Sequence, residues 1–187
     1  MTDRFVLRET PLRGLKLVQR KPISDHRGCL ERLFCIDELA TLTCGHQVAQ
    51  INHTVTRQSG AVRGLHFQHP PHAEIKFVSC IRGEVFDVAV DLRRGSPTFL
   101  RWHAEILSAD NHLTFAIPEG FAHGFQTLRD DCELLYVHTA PYRPDHEGGV
   151  NATDPKLDIR WPRDIAERSE RDASFPVLTS DFVGLSI

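Results

Sequence analysis

The sequence predicts an all-β sandwich or barrel, and two observations carry that expectation. From about Leu15 to Val137 the chain runs as short apolar stretches separated by Gly, Pro, Asn and Asp, with few segments long enough for a helix. Within that region Ile75 to Ile81 and Glu84 to Leu92 flank Arg82-Gly83, which reads as a tight hairpin because glycine tolerates positive φ.

The remaining strands are expected at Val48 to His53, Arg63 to Gln68, Phe99 to Ile106, Leu113 to Ile117, Gly124 to Thr127 and Cys132 to His138. In the second hairpin strand Phe86, Val88, Val90 and Leu92 alternate with Val85, Asp87, Ala89 and Asp91, so one face is apolar and the other carries carboxylates. A buried carboxylate without a partner is costly, so a histidine or arginine is expected beside Asp87. Two segments read as helices, Ile36 to Leu42 and Asp164 to Ala173, the second mostly polar and placed on the surface. After Tyr142 the composition shifts to Pro, Asp, Glu and Gly. The expectation is one domain over residues 1–187, with a barrel core at about 45–140 and a carboxy-terminal wrap at about 143–187.

The net charge of -3 and the scattered basic residues argue against a nucleic-acid partner. No apolar run approaches the roughly 20 residues of a membrane span, and MTDRFVLRE lacks a hydrophobic leader segment, so no membrane association and a cytoplasmic location are expected. The five cysteines, Cys29, Cys35, Cys44, Cys80 and Cys132, form an odd set without a CxxC pair and read as small apolar residues rather than a disulfide or zinc framework.

Polar residues with chemical potential concentrate in three places. Arg63-Gly-Leu-His66-Phe-Gln68-His-Pro-Pro-His72-Ala-Glu-Ile-Lys76 combines cations suited to a diphosphate with imidazoles that titrate near neutrality. Ile117-Pro-Glu-Gly-Phe-Ala-His123-Gly-Phe125 sets a histidine just after a Pro/Gly turn, and Cys132-Glu-Leu-Leu-Tyr136-Val-His138 puts Tyr136 on a strand face with Leu134 and His138. Each has an ordinary alternative. His66 alone reads equally as a structural histidine, Tyr136 as a core aromatic, and His69 and His72 as loop residues beside the Pro-Pro turn.

Taken together, these stretches resemble the nucleotide-sugar 3,5-epimerases typified by the dTDP-4-dehydrorhamnose 3,5-epimerase family. The resemblance rests on RGLHFQ at Arg63 to Gln68, Lys76, RGEVFDVAVDLRRGSPTF at Arg82 to Phe99, IPEGFAHGF at Ile117 to Phe125 and LLY at Leu134 to Tyr136. SDHRG at Ser24 to Gly28, PDHEG at Pro144 to Gly148 and DIRWP at Asp158 to Pro162 extend it over nearly the whole chain. It implies a cupin double-stranded β-helix, a jelly-roll barrel with short peripheral helices. It also implies a homodimer in which the partner's amino-terminal region helps complete each site.

By position the resemblance makes His66 the general base, Asp172 the carboxylate that orients it, Tyr136 the general acid and Lys76 the support for the ketone oxygen. It makes Arg63 a diphosphate ligand and Asp87 with His123 a second dyad. Gln50, Asn52 and Tyr142 become substrate-binding residues, and Arg27 and Glu31 reach toward the nucleotide. The implied ligand is a nucleotide-diphosphate sugar, and no metal and no cofactor is called for. Where the resembling proteins carry aromatic residues after Arg27-Gly28 and a tandem tyrosine later, this chain has Cys29, Leu30 and Pro141-Tyr142, and Val137 replaces a lysine. The nucleotide, and whether one or both carbons are inverted, stay open on this reading.

Two other readings compete. A metal-dependent cupin enzyme would use Pro118-x-Gly120-x-x-His123 with further histidines, although His66, His69 and His72 are spaced so that a strand sends them to alternating faces. A non-catalytic sugar-binding barrel would keep the pocket and lose the chemistry.

Overall fold

The structure is a computed structural model describing residues 3–187, so residues 1 and 2 of the span read above as one domain lie outside it. Thirteen strands follow in order: β1 (Phe5–Glu9), β2 (Lys16–Arg20), β3 (Ile23–Asp25), β4 (Gly28–Leu30), β5 (Gln50–Thr56), β6 (Val62–Gln68), β7 (Lys76–Arg82), β8 (Glu84–Asp91), β9 (Trp102–Ser108), β10 (Leu113–Ile117), β11 (Phe121–Thr127), β12 (Cys132–His138) and β13 (Glu147–Gly149). One sheet has the order β1-β2-β10-β7-β12-β5 and the other β13-β6-β11-β8-β9, with β3 and β4 as a separate hairpin. Every pairing between these strands is antiparallel. The architecture is a jelly-roll barrel of the cupin kind, as the resemblance implied.

Side-chain alternation explains why the two sheets close on one another. Inward residues Val78 and Cys80 of β7, Val85 and Ala89 of β8, Phe115 and Ile117 of β10, Phe121 and Phe125 of β11, and Leu134 of β12 form the central core. Outward residues of β6 and β8, among them Leu65, Val88 and Val90, together with Leu92 just after β8, pack under Val150, Leu157, Leu178 and Leu185 of the carboxy-terminal segment. On the other outer face Val18, Phe77, Ala116 and Val137 lie beneath Leu39. β8 is therefore buried on both sides. Its carboxylate face points into the barrel, where Asp87 meets the site and Asp91 serves the fold: Asp91 accepts hydrogen bonds from Arg93 Nε at 2.9 Å, Ser96 Oγ at 2.5 Å and Thr98 Oγ1 at 2.6 Å.

Several boundaries differ from expectation for identifiable reasons. The strand expected from Phe99 begins at Trp102, because Leu100 takes φ 59° in the turn that returns to Asp91. The segment expected as a helix over Asp164 to Ala173 shortens to α2 (Glu170–Ser174). Residues before it hydrogen-bond to the barrel instead of to each other, Val62 N to Glu167 O at 2.9 Å and Ala166 N to Gly60 O at 3.0 Å. Ser169 then caps α2 by accepting from Asp172 N. The other helix, α1, is only Ala40–Thr43. β1 to β4 and β13 are additions that the alternation reading missed.

Three glycines fix strand approach at two places. Gly83, at φ 78°, closes the β7–β8 hairpin, and a Cβ there would lie 2.7 Å from Cys132 Sγ. At Gly64 and Gly124, β6 and β11 come so close that a Cβ on Gly64 would sit 2.6 Å from Gly124 Cα. That contact brings His66 directly opposite His123.

Candidate active site

A cavity of about 540 Å³ opens between the two sheets, a size suited to a small-molecule ligand. The five-stranded sheet contributes His66 and Arg63 from β6 and His123 from β11; the six-stranded sheet contributes Lys76 from β7, Tyr136 from β12, and Gln50 and Asn52 from β5. Asp172 enters from α2 and Tyr142 from the loop after β12. Asp87 lies just behind the lining, bonded to His123.

The histidines are held by carboxylates. His66 Nε2 lies 2.9 Å from Asp172 Oδ1, while Asp172 Oδ2 accepts from Gly64 N at 2.9 Å, so both oxygens are fixed. Burial works against the Asp172 charge, yet the hydrogen bonds from His66 and the Gly64 amide outweigh it and hold the carboxyl below its ordinary range. Asp172 is therefore ionised wherever an imidazole titrates, and it fixes the ring and stabilises an imidazolium. His123 Nε2 is 2.8 Å from Asp87 Oδ1 deep in the barrel. Complete burial pushes the Asp87 carboxyl upward, with His123 opposing only in part.

Tyr136 stacks on His138 with ring centroids 5.9 Å apart and meets the His123 ring edge-on at 6.0 Å. Burial, and then the nearby Asp87 charge, push its hydroxyl well above the ordinary phenol value. The hydroxyl therefore stays protonated through the neutral range. Lys76 Nζ, buried at the cavity wall, lies 3.0 Å from Glu74 Oε1. Arg63, part of the cavity lining, donates from Nε to Thr56 Oγ1 at 2.9 Å.

Arg27 and Glu31 do not reach the cavity within their own chain. Arg27 sits on the exposed β3–β4 turn, paired with Asp25 at 2.6 Å. Glu31 lies 2.8 Å from His112 Nδ1 and 3.3 Å from Arg20 Nε. Conversely, several cavity residues went unassigned in the sequence, among them Glu74, His138, Glu147 and Arg171. Period two already placed Glu74 on the face of Lys76 and His138 on that of Tyr136, but their contact depends on register. Arg171 lies 3.2 Å from His66 Nε2 and pairs with Glu147 at 3.1 Å, which in turn accepts from the Tyr142 hydroxyl at 3.2 Å. Among the described residues no three His, Cys, Asp or Glu side chains converge with the arrangement of a metal site, since each cavity histidine has a carboxylate of its own. No helix there is long and apolar enough to cross a membrane.

Comparison with known proteins finds relatives over most of the chain. Residues 9–180 match the family described as dTDP-4-dehydrorhamnose 3,5-epimerase. The chain is similar to the protein of that name from Sinorhizobium fredii, 38% identical over 177 residues covering 94% of this chain and 91% of the relative. It is 40% identical over 166 residues to a dTDP-4-dehydro-6-deoxyglucose 3-epimerase from a Streptomyces species, covering 87% and 84% of the two chains. Its backbone resembles the crystal structure of dTDP-6-deoxy-D-glucose-3,5-epimerase from Legionella pneumophila in complex with dTDP-4-keto-L-rhamnose, with a TM-score of 0.90, 34% identity and coverage of 98% and 99%. With the barrel, the cavity motifs and matching relatives all in agreement over most of its length, the chain belongs to the dTDP-4-dehydrorhamnose 3,5-epimerase family.

Proposed function

We propose that this isomerase inverts C3, C5 or both in a 4-keto-6-deoxy sugar carried on dTDP, with His66 as base, Tyr136 as acid, Lys76 beside the C4 oxygen and Asp172 orienting the base. The observation that supports the reading is placement: His66 rises from one sheet and Tyr136 from the facing sheet, and both line one cavity.

The chemistry asks for that arrangement. A proton next to a ketone is weakly acidic, so its removal needs a base and a cation for the charge that grows on the carbonyl oxygen. A positioned base contributes roughly 10²–10⁴-fold, and preorganised charge at the oxyanion a further 10²–10³-fold. Inversion then requires a proton from the opposite face, which one imidazole fixed by Asp172 cannot deliver. A phenol on the facing wall can. Arg63 supplies a cation for the diphosphate, and Gln50, Asn52, Tyr142 and the Asp87–His123 dyad shape the rest of the cavity. The carboxy-terminal wrap is part of the same working unit, because it delivers Asp172 to a barrel histidine.

Incubation with 4-keto-6-deoxy sugars on dTDP, CDP and GDP in D₂O tests this directly. Solvent deuterium is expected at C3 or C5 of the dTDP sugar; labelling only on another nucleotide would move the specificity, and labelling of none would leave a binding barrel. Which carbons are labelled separates a single from a double epimerase.

A homodimer is the arrangement in which Arg27 would serve a site. The β3–β4 hairpin is exposed along its whole length, with Leu30 72% accessible, and its arginine has only Asp25 for company. Sedimentation equilibrium is expected to give twice the 21.2 kDa chain mass. A monomer would remove Arg27 and Glu31 from the site.

A further inference from the structure

The epimerase chemistry uses Lys76 but assigns no role to the two side chains buried with it on the wall of the six-stranded sheet, Glu74 and His138. Lys76 and His138 are direct cross-strand partners on β7 and β12, so their side chains leave the same face side by side. Glu74 stands two residues before Lys76, in the loop leading into β7, and its carboxylate lies between them. Oε1 is 3.0 Å from Lys76 Nζ and Oε2 is 2.8 Å from His138 Nδ1. Side-chain exposure is 8% for Glu74 and 10% for each of the other two.

A carboxylate held by one lysine alone can rotate with it. Here the second oxygen is tied to a ring that is itself fixed, since His138 lies flat against Tyr136 and its Nε2 is 3.4 Å from Asn52 Nδ2. An ionised Glu74 accepts from Nδ1–H, which leaves Nε2 free to accept from the Asn52 amide. Burial opposes the Glu74 charge, but the bonds from His138 and Lys76 prevail and hold the carboxyl below its ordinary range. Around Lys76 the charged or titratable neighbours are Glu74 and His138. β10 presents Ile117, and β6 offers the His66 carbonyl 3.5 Å from Nζ, with the His66 imidazole lining the same cavity.

We propose that Glu74, anchored by His138, is a positioning residue that fixes the Lys76 ammonium at the cavity wall and keeps it charged where the enolate oxygen develops. The assignment rests on the epimerase reading for its purpose and on the Glu74–Lys76–His138 geometry for its substance. A buried ammonium loses its charge readily without an anion beside it. The carboxylate weakens the field of Lys76 somewhat, and in exchange holds the cation in one place across the pH range.

The test uses the full-length protein with ¹³Cε-labelled lysine, which is tractable because the chain has only Lys16, Lys21, Lys76 and Lys156. Glu74→Gln keeps the volume and an acceptor oxygen for Lys76 while removing the charge and turning the position that faces His138 from acceptor to donor. The Lys76 titration is expected to fall by about one pH unit or more, the other three lysines staying in place. The alkaline limb of kcat for solvent exchange should move down with it, while KM changes less than about twofold. Glu74→Asp keeps the charge but withdraws it by one carbon, roughly 1.5 Å. Its Lys76 titration should match the unaltered protein, and kcat should fall about tenfold. An unmoved Lys76 titration in Glu74→Gln, or full activity in Glu74→Asp, overturns the assignment. Absence of exchange in the unaltered protein would instead overturn the epimerase reading, and the lysine titration, which needs no substrate, would still decide what Glu74 does.

Discussion

His66→Ala is expected to abolish solvent exchange and inversion together, by about 10³-fold or more, with little change in KM. The His66 imidazole lines the cavity with the Asp172 carboxylate fixed behind it, and it is the more exposed member of that pair. Asp172 is a poor substitute for the base, because its Oδ2 still accepts from Gly64 N and its Oδ1 from Arg171 Nε. The side chain is about one-quarter exposed, so its removal leaves no large buried hole and the fold should persist. Mass spectrometry of the recovered sugar after incubation in D₂O reads the loss directly.

Tyr136→Phe is expected to separate two events that His66→Ala stops together. Net inversion should fall by about 10²-fold or more, while deuterium continues to enter the recovered substrate. With the phenol gone, His66 still removes the proton, exchanges it with solvent and returns a deuteron to the face it came from. The ring keeps its packing against His138 and His123, so stability should scarcely change. NMR resolves labelled substrate from epimer in one experiment. Equal and mild effects from the two substitutions would contradict the assigned roles.

How much of this was visible in the sequence depends on the kind of contact. Strands β6, β7, β8, β10, β11 and β12 were legible because each is largely buried and writes that burial as alternation or as an apolar run. β1 was not, since only Phe5 of its five residues is buried, and β3 and β4 are exposed throughout. β13 reads Glu-Gly-Gly and pairs with β6 through its backbone, leaving no side-chain signature. In the site, Asp87 could be predicted to need a partner on the cost of burial alone, and His123 supplies it. The His66–Asp172 bond spans 106 residues and came only from the resemblance. Glu74 and His138 were passed over because their meeting depends on the β7–β12 register, which no local pattern records. Arg27 and Glu31 were likewise placed by resemblance, and one chain alone does not bring them to the cavity.

The facing-wall arrangement makes a sharper demand than activity alone. In D₂O, at the first few per cent of conversion of a protiated sugar, the account predicts one solvent deuteron at every inverted carbon of the epimer and almost none in the unreacted sugar. The hydrogen taken by His66 stays on one side, and the one delivered comes from the exchanged Tyr136 hydroxyl. Substantial retention of the original hydrogen in the epimer would mean that a single group serves both faces, and would contradict it.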